Sequence, residues 1–193
     1  MNRISRTIGR ILKFFFNFYF RNMSKILEGH VVYGRGNKFN QVTKITGNGK
    51  VEIGDGCTFG YRQGGHFRNG AIEIQARTGK SRIIIREKVS FNNNTFLCAA
   101  NIIEIGARTL IGEHVSFFDH EAHNISPSDR NKPGRIGEIK IGENVWIGNN
   151  VSVLTDTEIG DNSVVALGAV VKGKFPGNVI IGGIPAKVIK EIQ

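Results

Sequence analysis

The amino-acid sequence predicts an all-β protein: a parallel β-helix of hexapeptide repeats, with an N-terminal helix and a short C-terminal helix or tail. From residue 141 the chain divides into sixes, and the first position of every six is aliphatic. Those first positions are Ile141, Ile147, Val153, Ile159, Val165 and Val171. Glycine, a residue of tight turns, accounts for 25 of 193 residues, about 13% against a usual ~7%. A six-residue period fits neither a helix nor a flat strand, but it fits a chain coiling into a triangular prism.

The repeat also predicts the core. Position one points inward and stacks on its counterpart one coil later, about 4.8 Å along the axis. Position five is small or β-branched until Phe175, which suits a crowded corner, and is occupied by Val145, Val151, Thr157, Ser163 and Ala169. Weaker upstream copies place further residues inside: Ile53, Phe59, Ile85, Phe91, Leu97, Ile103, Ile105, Ile111 and Phe117.

Residues 1–27 are predicted to form a basic amphipathic helical segment. One face at helical spacing carries Ile4, Ile8, Ile11, Leu12, Phe15, Phe18 and Tyr19. Residues 1–25 hold six basic residues and no acidic one, within a net charge of +10. Two interpretations stay open: a helix that caps the core, or a peripheral helix on an anionic membrane, which the additional Phe14, Phe16 and Phe20 favour. No apolar run there is long enough to cross a membrane, and no nucleic-acid motif accompanies the charge.

The remaining chain is predicted to divide into a β-helix domain at 28–181 and a C-terminal cap or tail at 182–193. The repeat register is lost between Phe117 and Ile141, which predicts a loop at 118–140. A regular prism does not require this loop, and long loops inside compact repeats are usually functional. Because the loop carries His120 and His123, it is the expected active-site segment.

The sequence resembles the hexapeptide-repeat acyltransferases, in the group of the galactoside and maltose O-acetyltransferases. The resemblance runs from Ile83 to Gln193 and is strongest over IGENVWIGNN, IGDNSVV and GGIPAKVIKEI. It implies that the coils are left-handed, that acetyl-CoA is the donor, and that a homotrimer builds each site from two neighbouring subunits.

The resemblance further implies roles for residues around the loop. His120, the first histidine of an H-x-x-H setting, matches the catalytic position, and we expect His123 to contribute to substrate binding. Asn92 matches an asparagine that binds the acceptor sugar, whereas an acceptor-contacting aspartate is replaced by Ala100, so the acceptor need not be galactoside-like or maltose-like. The chemistry agrees, because a neutral imidazole suits proton removal from an attacking hydroxyl near neutral pH. The other ring nitrogen then needs an acceptor, either a loop carbonyl or a neighbouring carboxylate.

Coenzyme A is expected along the outside of the prism, toward the C-terminal coils, because the resemblance implies it. The matching positions are Asn149, Leu167, Lys172, Lys187 and Lys190. Trp146 is at an outward position one residue before a strand, where it either flanks the pantetheine of coenzyme A or packs against a neighbouring subunit. Lysine at 187 and 190, where the family often has arginine, keeps the charge for phosphates but loses the bidentate fork. We expect no metal requirement.

The expected function is transfer of acetyl from acetyl-CoA to a carbohydrate hydroxyl, in cell-surface polysaccharide biosynthesis. The alternative is N-acetylation of a nucleotide-linked amino sugar, which uses the same donor and base. Two rival classes are a non-enzymatic scaffold and a zinc enzyme like the γ-type carbonic anhydrases, with His114, His120 and His123 as ligands. Two cysteines without CxxC spacing favour a reducing compartment, so we expect a cytoplasmic location, at the inner face of the membrane.

Overall fold

A computed structural model describes residues 7–9, 11, 12, 22, 26 and 28–193. Of these, residues 7–9, 11, 12, 22 and 26 are helical, and a 3₁₀ turn spans Pro127–Asp129. The described residues form nineteen strands: β1 (Val31–Tyr33), β2 (Lys38–Phe39), β3 (Thr43–Gly47), β4 (Lys50–Ile53), β5 (Thr58–Phe59), β6 (Ile72–Ala76), β7 (Arg82–Ile85), β8 (Ser90–Phe91), β9 (Phe96–Ala99), β10 (Ile102–Ile105), β11 (Leu110–Ile111), β12 (Ser116–Phe118), β13 (Glu138–Ile141), β14 (Trp146–Ile147), β15 (Ser152–Ile159), β16 (Val164–Val165), β17 (Val170–Phe175), β18 (Val179–Gly183) and β19 (Ala186–Glu191).

Successive strands occupy the three faces of a prism in turn. The first face stacks β1, β4, β7, β10 and β13, the second stacks β2, β5, β8, β11, β14, β16 and β18, and the third stacks β3, β6, β9 and β12. Within each face the strands pair in parallel with the strand one coil away. The long strand β15 joins two faces, since Ser152–Val153 pair with β12 and Thr157–Ile159 pair with β13. We call the two edges that matter below the second–third corner and the third–first corner.

The core follows the six-residue repeat, as predicted. All six position-one residues from 141 to 171 are at most 1% exposed, and the predicted upstream positions are buried as well. Inside the second face, the rings of Phe39, Phe59 and Phe91 stack with centroids 4.8 and 5.0 Å apart. The buried hydroxyl of Thr157 donates to the Val171 carbonyl at 3.1 Å, so the small polar corner residues do not leave buried donors unpaired.

The turns between strands use side chains that tolerate a positive φ. Many of them are asparagine, the non-glycine residue best suited to this conformation: Asn94, Asn144, Asn150, Asn162 and Asn178, with φ between 55° and 59°. This explains why the repeat is rich in Asn as well as in glycine.

The chain before β1 contacts the first coil through two described residues. The buried amide of Asn22 donates to the Thr43 carbonyl at 3.3 Å and accepts from the Ile45 N–H at 3.0 Å. These groups belong to β3, the last strand of its sheet, so Asn22 satisfies an otherwise open edge. Ile26 packs against the core.

The predicted apolar face of the N-terminal segment is described only in part. Ile8, Ile11 and Leu12 are half or more exposed, at 51%, 50% and 63%. Ile4, Phe15, Phe18 and Tyr19, like the additional Phe14, Phe16 and Phe20, lie outside the described residues. In the described part of the chain, no helix is long and apolar enough to cross a membrane.

The C-terminal segment differs from the expected short helix or tail. Residues Ala186–Glu191 form strand β19, which pairs antiparallel with β18. Because β18 is the last strand of the second face, its outer edge presents unpaired N–H and C=O groups, and the chain turns back to satisfy them. This edge pairing outweighs any local helical preference of AKVIKEI.

Candidate active site

The loop that interrupts the repeat leaves the prism at the third–first corner and spans residues 119–137, between β12 and β13. Its two arms bond to each other, since the Glu121 N–H donates to the Arg135 carbonyl at 2.8 Å and the Gly134 N–H returns to the Glu121 carbonyl at 3.0 Å. At its base, the buried hydroxyl of Thr155 donates to the Asp119 carbonyl at 2.7 Å. The loop therefore holds its first residues in a defined position.

Asp119 is the buried anchor of this corner. Its side chain is fully buried and accepts hydrogen bonds from the backbone N–H groups of Ala100 and Asn101, each at 2.8 Å. Those two residues form the corner one coil earlier, between β9 and β10. The Nδ1 atom of His120 lies 2.8 Å from Asp119 Oδ1, so the carboxylate completes its set of partners with the imidazole.

The second ring nitrogen of His120 identifies its tautomer. Nε2 lies 3.1 Å from Nη1 of Arg77, which belongs to the turn after β6. A guanidinium group can only donate, so Nε2 carries a lone pair and the ring proton sits on Nδ1, donated to Asp119. His120 is therefore a neutral imidazole that presents its basic nitrogen at the corner, with the side chain 7% exposed.

His123 takes a different position. Its Nδ1 donates to the Arg130 carbonyl at 2.8 Å, within the exposed part of the loop. Lys172 approaches the same loop, with Nζ 3.9 Å from Glu121 Oε1. His120, His123 and Lys172 thus belong to the third–first corner and its loop.

The other predicted site residues lie at the second–third corner. Asn149 and Leu167 occupy equivalent positions after β14 and β16 in neighbouring coils, and the Gly168 N–H donates to the Asn149 carbonyl at 2.9 Å. Asn92 directly follows β8, two coils before β14. Beside them, Trp146 is 57% exposed on the second face. An open groove of about 300 Å³ runs here, and its lining includes Tyr61, Asn92, Leu110, Trp146 and Asn149. His120 does not line this groove.

Lys187 and Lys190 lie on β19, at the edge of the second face, and both are exposed. One chain therefore separates the predicted residues into two groups at different corners, with His120 in one group and the open groove in the other.

The structure adds two residues to the site that the sequence could not assign. Asp119 was one of two kinds of acceptor expected for His120, and the structure selects the carboxylate. Arg77 carries no motif and lies 43 residues before His120, so only the stacking of coils brings it there. The three histidines of the zinc alternative do not converge: His114 contacts His66 and Glu113, whereas His120 contacts Asp119 and Arg77.

Neither cysteine is exposed: Cys57 belongs to the core of the prism, and Cys98 lies on the outward side of β9 with Sγ 3.6 Å from Gln75 Oε1. Cys57 and Cys98 are both free and buried. Burial raises the pKa of each thiol above its ordinary value, which keeps the thiol protonated and unreactive.

A parallel β-helix with a looped-out corner histidine defines a class, the hexapeptide-repeat acyltransferases. Residues 138–173 match the family model described as bacterial transferase hexapeptide (six repeats). The chain is 30% identical over 156 residues to the putative lipopolysaccharide biosynthesis O-acetyl transferase WbbJ of Escherichia coli, covering 76% of this chain and 74% of that protein. It is 35% identical over 117 residues to the galactoside O-acetyltransferase of E. coli, covering 58% and 56% of the two chains. The protein belongs to the hexapeptide-repeat acetyltransferase family.

Solved structures confirm the predicted left-handed β-helix. The hexapeptide-repeat acetyltransferase VCA0836 of Vibrio cholerae superposes with a TM-score of 0.61 at 23% identity, covering 88% of this chain and 77% of that one. A galactoside acetyltransferase solved with coenzyme A gives a TM-score of 0.59 at 23% identity, covering 97% and 80%. At this level of identity the likeness shows the fold.

Proposed function

We propose that this protein transfers the acetyl group of acetyl-CoA to a hydroxyl group of a carbohydrate, in the assembly of a cell-surface polysaccharide. The observation that carries the proposal is the neutral His120, whose Nδ1 donates to buried Asp119 and whose basic Nε2 accepts from Arg77 at the corner. The names of the two relatives, O-acetyltransferases acting in lipopolysaccharide biosynthesis and on galactosides, support a hydroxyl acceptor on a sugar.

The arrangement gives a balanced acyl transfer. The acceptor hydroxyl binds at Nε2 of His120 in place of Arg77, and its oxygen attacks the thioester carbonyl as Nε2 takes its proton. Asp119 stabilises the imidazolium that forms, because its carboxylate already accepts the Nδ1 proton. The carbon–sulfur bond then breaks, and the thiolate of coenzyme A takes the proton from Nε2. General-base assistance of this kind contributes about 10²–10⁴-fold in rate.

The donor groove is proposed at the second–third corner. The exposed indole of Trp146 and side chain of Leu167 offer apolar surface to the pantetheine arm, and Asn149 offers a polar contact. Lys187 and Lys190 on β19, with Lys172 from the His120 side, supply positive charge for the phosphates without a bidentate fork. Asn92 and His123 are proposed to contact the acceptor.

Because the base and the groove lie at different corners, we propose that each site combines the third–first corner of one subunit with the second–third corner of its neighbour, in a homotrimer of about 64 kDa (three chains of 21.3 kDa). Light scattering measures the mass. Mixed trimers of two variants test whether each site is built from two subunits. His120→Ala and Leu167→Arg chains should each be inactive alone, and unfolding and refolding them together should restore activity. Random 1:1 assembly leaves about a quarter of the sites intact. No recovery in verified mixed trimers contradicts the shared site.

Residues 1–25 are proposed as a peripheral membrane contact in addition to covering the core. Each basic residue near an anionic surface contributes at most ~1 kcal/mol, and salt screens it. Sedimentation with liposomes should therefore show binding that rises with anionic lipid and falls with added salt. Equal retention on neutral and anionic liposomes, or none on either, contradicts this proposal.

The acceptor class is tested by incubating the full-length protein with acetyl-CoA and a panel of glycans, free sugars and sugar nucleotides, with thiol release as the readout. Hydroxylamine then separates the products, since it cleaves an O-acetyl ester and leaves an N-acetyl amide. The proposal predicts a hydroxylamine-sensitive product on a sugar without a free amine. Turnover confined to amino sugars, with a resistant product, supports the N-acetyltransferase alternative instead.

A further inference from the structure

A second cluster of ionisable side chains lies at the second–third corner, away from His120. It joins His66, in the loop of residues 60–71 between β5 and β6, to Glu113 and His114, in the turn between β11 and β12. His66 and His114 are 48 residues apart in the chain, so only the fold brings them together. The mechanism proposed above uses none of the three.

The three side chains place one ligand atom each within 4.8 Å of the other two. Nδ1 of His66 lies 2.7 Å from Oε1 of Glu113 and 3.3 Å from Nε2 of His114, and the third distance, from Nε2 of His114 to Oε1 of Glu113, is 3.7 Å. A tetrahedral Zn²⁺ with ligand bonds of about 2.0–2.2 Å requires its ligand atoms to lie about 3.3–3.5 Å apart. The observed separations bracket that value, so an ion fits with small side-chain rotations.

We propose that His66, Glu113 and His114 form a binding site for a divalent transition metal, with Zn²⁺ as the favoured ion. Two imidazoles and one carboxylate form a ligand set that suits zinc, cobalt and nickel, whereas magnesium and calcium prefer oxygen ligands alone. Three protein ligands leave a fourth position for water, and the site faces solvent, since the side chains of His66 and His114 are 60% and 41% exposed.

Buried side-chain amides hold the backbone of the loop that carries His66 in place. Asn93, which is fully buried, donates through Nδ2 to the carbonyls of Tyr61 and Gly65 at 2.9 and 2.7 Å. Gln41 donates to the His66 carbonyl at 3.2 Å. The backbone around His66 is therefore held by hydrogen bonds before an ion binds, which reduces the ordering cost of binding.

The site also connects to the donor groove. Oδ1 of Asn149, a groove residue, accepts the backbone N–H of Glu113 at 2.9 Å, and Tyr61 of the same loop lines the groove. A bound ion ties the loop of residues 60–71 to the coil that supports Asn149. Its role is structural, stabilising one wall of the groove, and the acyl-transfer step at His120 does not depend on it.

Titration calorimetry of untagged, chelator-treated full-length protein with ZnCl₂ and CoCl₂ tests the site. We expect one ion per chain, visible d–d bands on Co²⁺ binding, and a melting temperature that rises with Zn²⁺. Loss of an outer-shell partner weakens metal binding by about 10–100-fold. Because His66 and His114 are proposed to bind the ion directly, His66→Ala and His114→Ala should each weaken Zn²⁺ binding by more than that. Circular dichroism without metal checks that each variant folds.

Two controls locate the ion. His30→Ala removes an imidazole outside the proposed site, where its Nδ1 contacts the Gly49 carbonyl. This variant should bind Zn²⁺ like the wild type. His120→Ala removes the proposed base and should also bind normally, which separates this site from the catalytic one. Unchanged Zn²⁺ affinity in folded His66→Ala, or loss of binding in His120→Ala, overturns the proposal.

Discussion

Replacing Asp119 with asparagine tests the geometry that makes His120 a base. The carboxylate accepts three N–H groups, from Ala100, Asn101 and His120, each at 2.8 Å. An asparagine keeps the size but has one acceptor oxygen and one NH₂ donor. Oδ1 accepts Ala100 and His120 and Oδ2 accepts Asn101, so one backbone N–H faces the new NH₂ group in either orientation of the amide. Where the NH₂ group replaces Oδ1, His120 must in addition move its proton to Nε2 and accept through Nδ1.

Either outcome carries a cost that the structure sets. In either orientation one buried backbone N–H is left unpaired, which destabilises the fold by about 1–3 kcal/mol. If the tautomer changes, Nε2 becomes a donor that faces the Arg77 guanidinium and can no longer accept the hydroxyl proton. Activity then loses much of the general-base contribution, about 10²–10⁴-fold. Where the tautomer stays, a neutral amide still stabilises the imidazolium that forms less than a carboxylate does, so we expect a loss of kcat toward that range in either orientation.

The assay is thiol release at saturating acetyl-CoA, with urea unfolding of the same preparations. Asp129→Asn is the matched control: it lies in the same loop, on the surface, paired with Lys132 at 2.6 Å. A surface ion pair contributes ~0–1 kcal/mol, so this variant should keep wild-type activity and stability. If Asp119→Asn keeps more than half of the wild-type kcat, Asp119 neither sets the tautomer of His120 nor stabilises its imidazolium.

Three further predictions concern other contacts. Arg77→Ala should keep more than a tenth of kcat, because the guanidinium must leave Nε2 before the acceptor binds; a loss in thiol release as large as that of His120→Ala contradicts this. Asn22→Ala unpairs the Thr43 carbonyl and the Ile45 N–H and should lower stability by about 1–3 kcal/mol in urea unfolding, while Asn131→Ala, on the exposed loop, should not. The raised pKa values of Cys57 and Cys98 predict that iodoacetamide labels neither thiol in the native protein at pH 7 and labels both in urea; rapid native labelling contradicts their burial.

The fold was predictable because the six-residue period is a property of neighbouring residues. Inward positions such as Ile141 and Val171 repeat at fixed spacing, and each needs only its own coil to be assigned. The C-terminal strand was not predictable in this way, because AKVIKEI becomes β19 only through the unpaired edge of β18. That edge exists only in the folded prism.

The candidate site could be located from the sequence, but the partners of its proposed base could not. The register break points to the loop that carries His120 and His123, and the family resemblance selects His120. Arg77 reaches His120 from two coils earlier, and the sequence does not show which turns share a corner of the prism. For the same reason the contact between His66 and His114 could not be predicted, because His66 lies in an irregular loop whose path the sequence does not give. The resemblance placed Lys172 along the groove, whereas β17 continues past the third–first corner and sets Lys172 beside the active-site loop.

The most direct test of the account is the kcat of His120→Ala with the best acceptor from the panel, beside His123→Ala and the Kd of acetyl-CoA for each variant. We predict that His120→Ala loses about 10²–10⁴-fold in kcat and binds acetyl-CoA like the wild type. His123→Ala should retain more activity, because its Nδ1 is engaged by the Arg130 carbonyl. A His120→Ala enzyme with more than a tenth of wild-type kcat, beside an inactive His123→Ala enzyme, would show that the base is the other histidine.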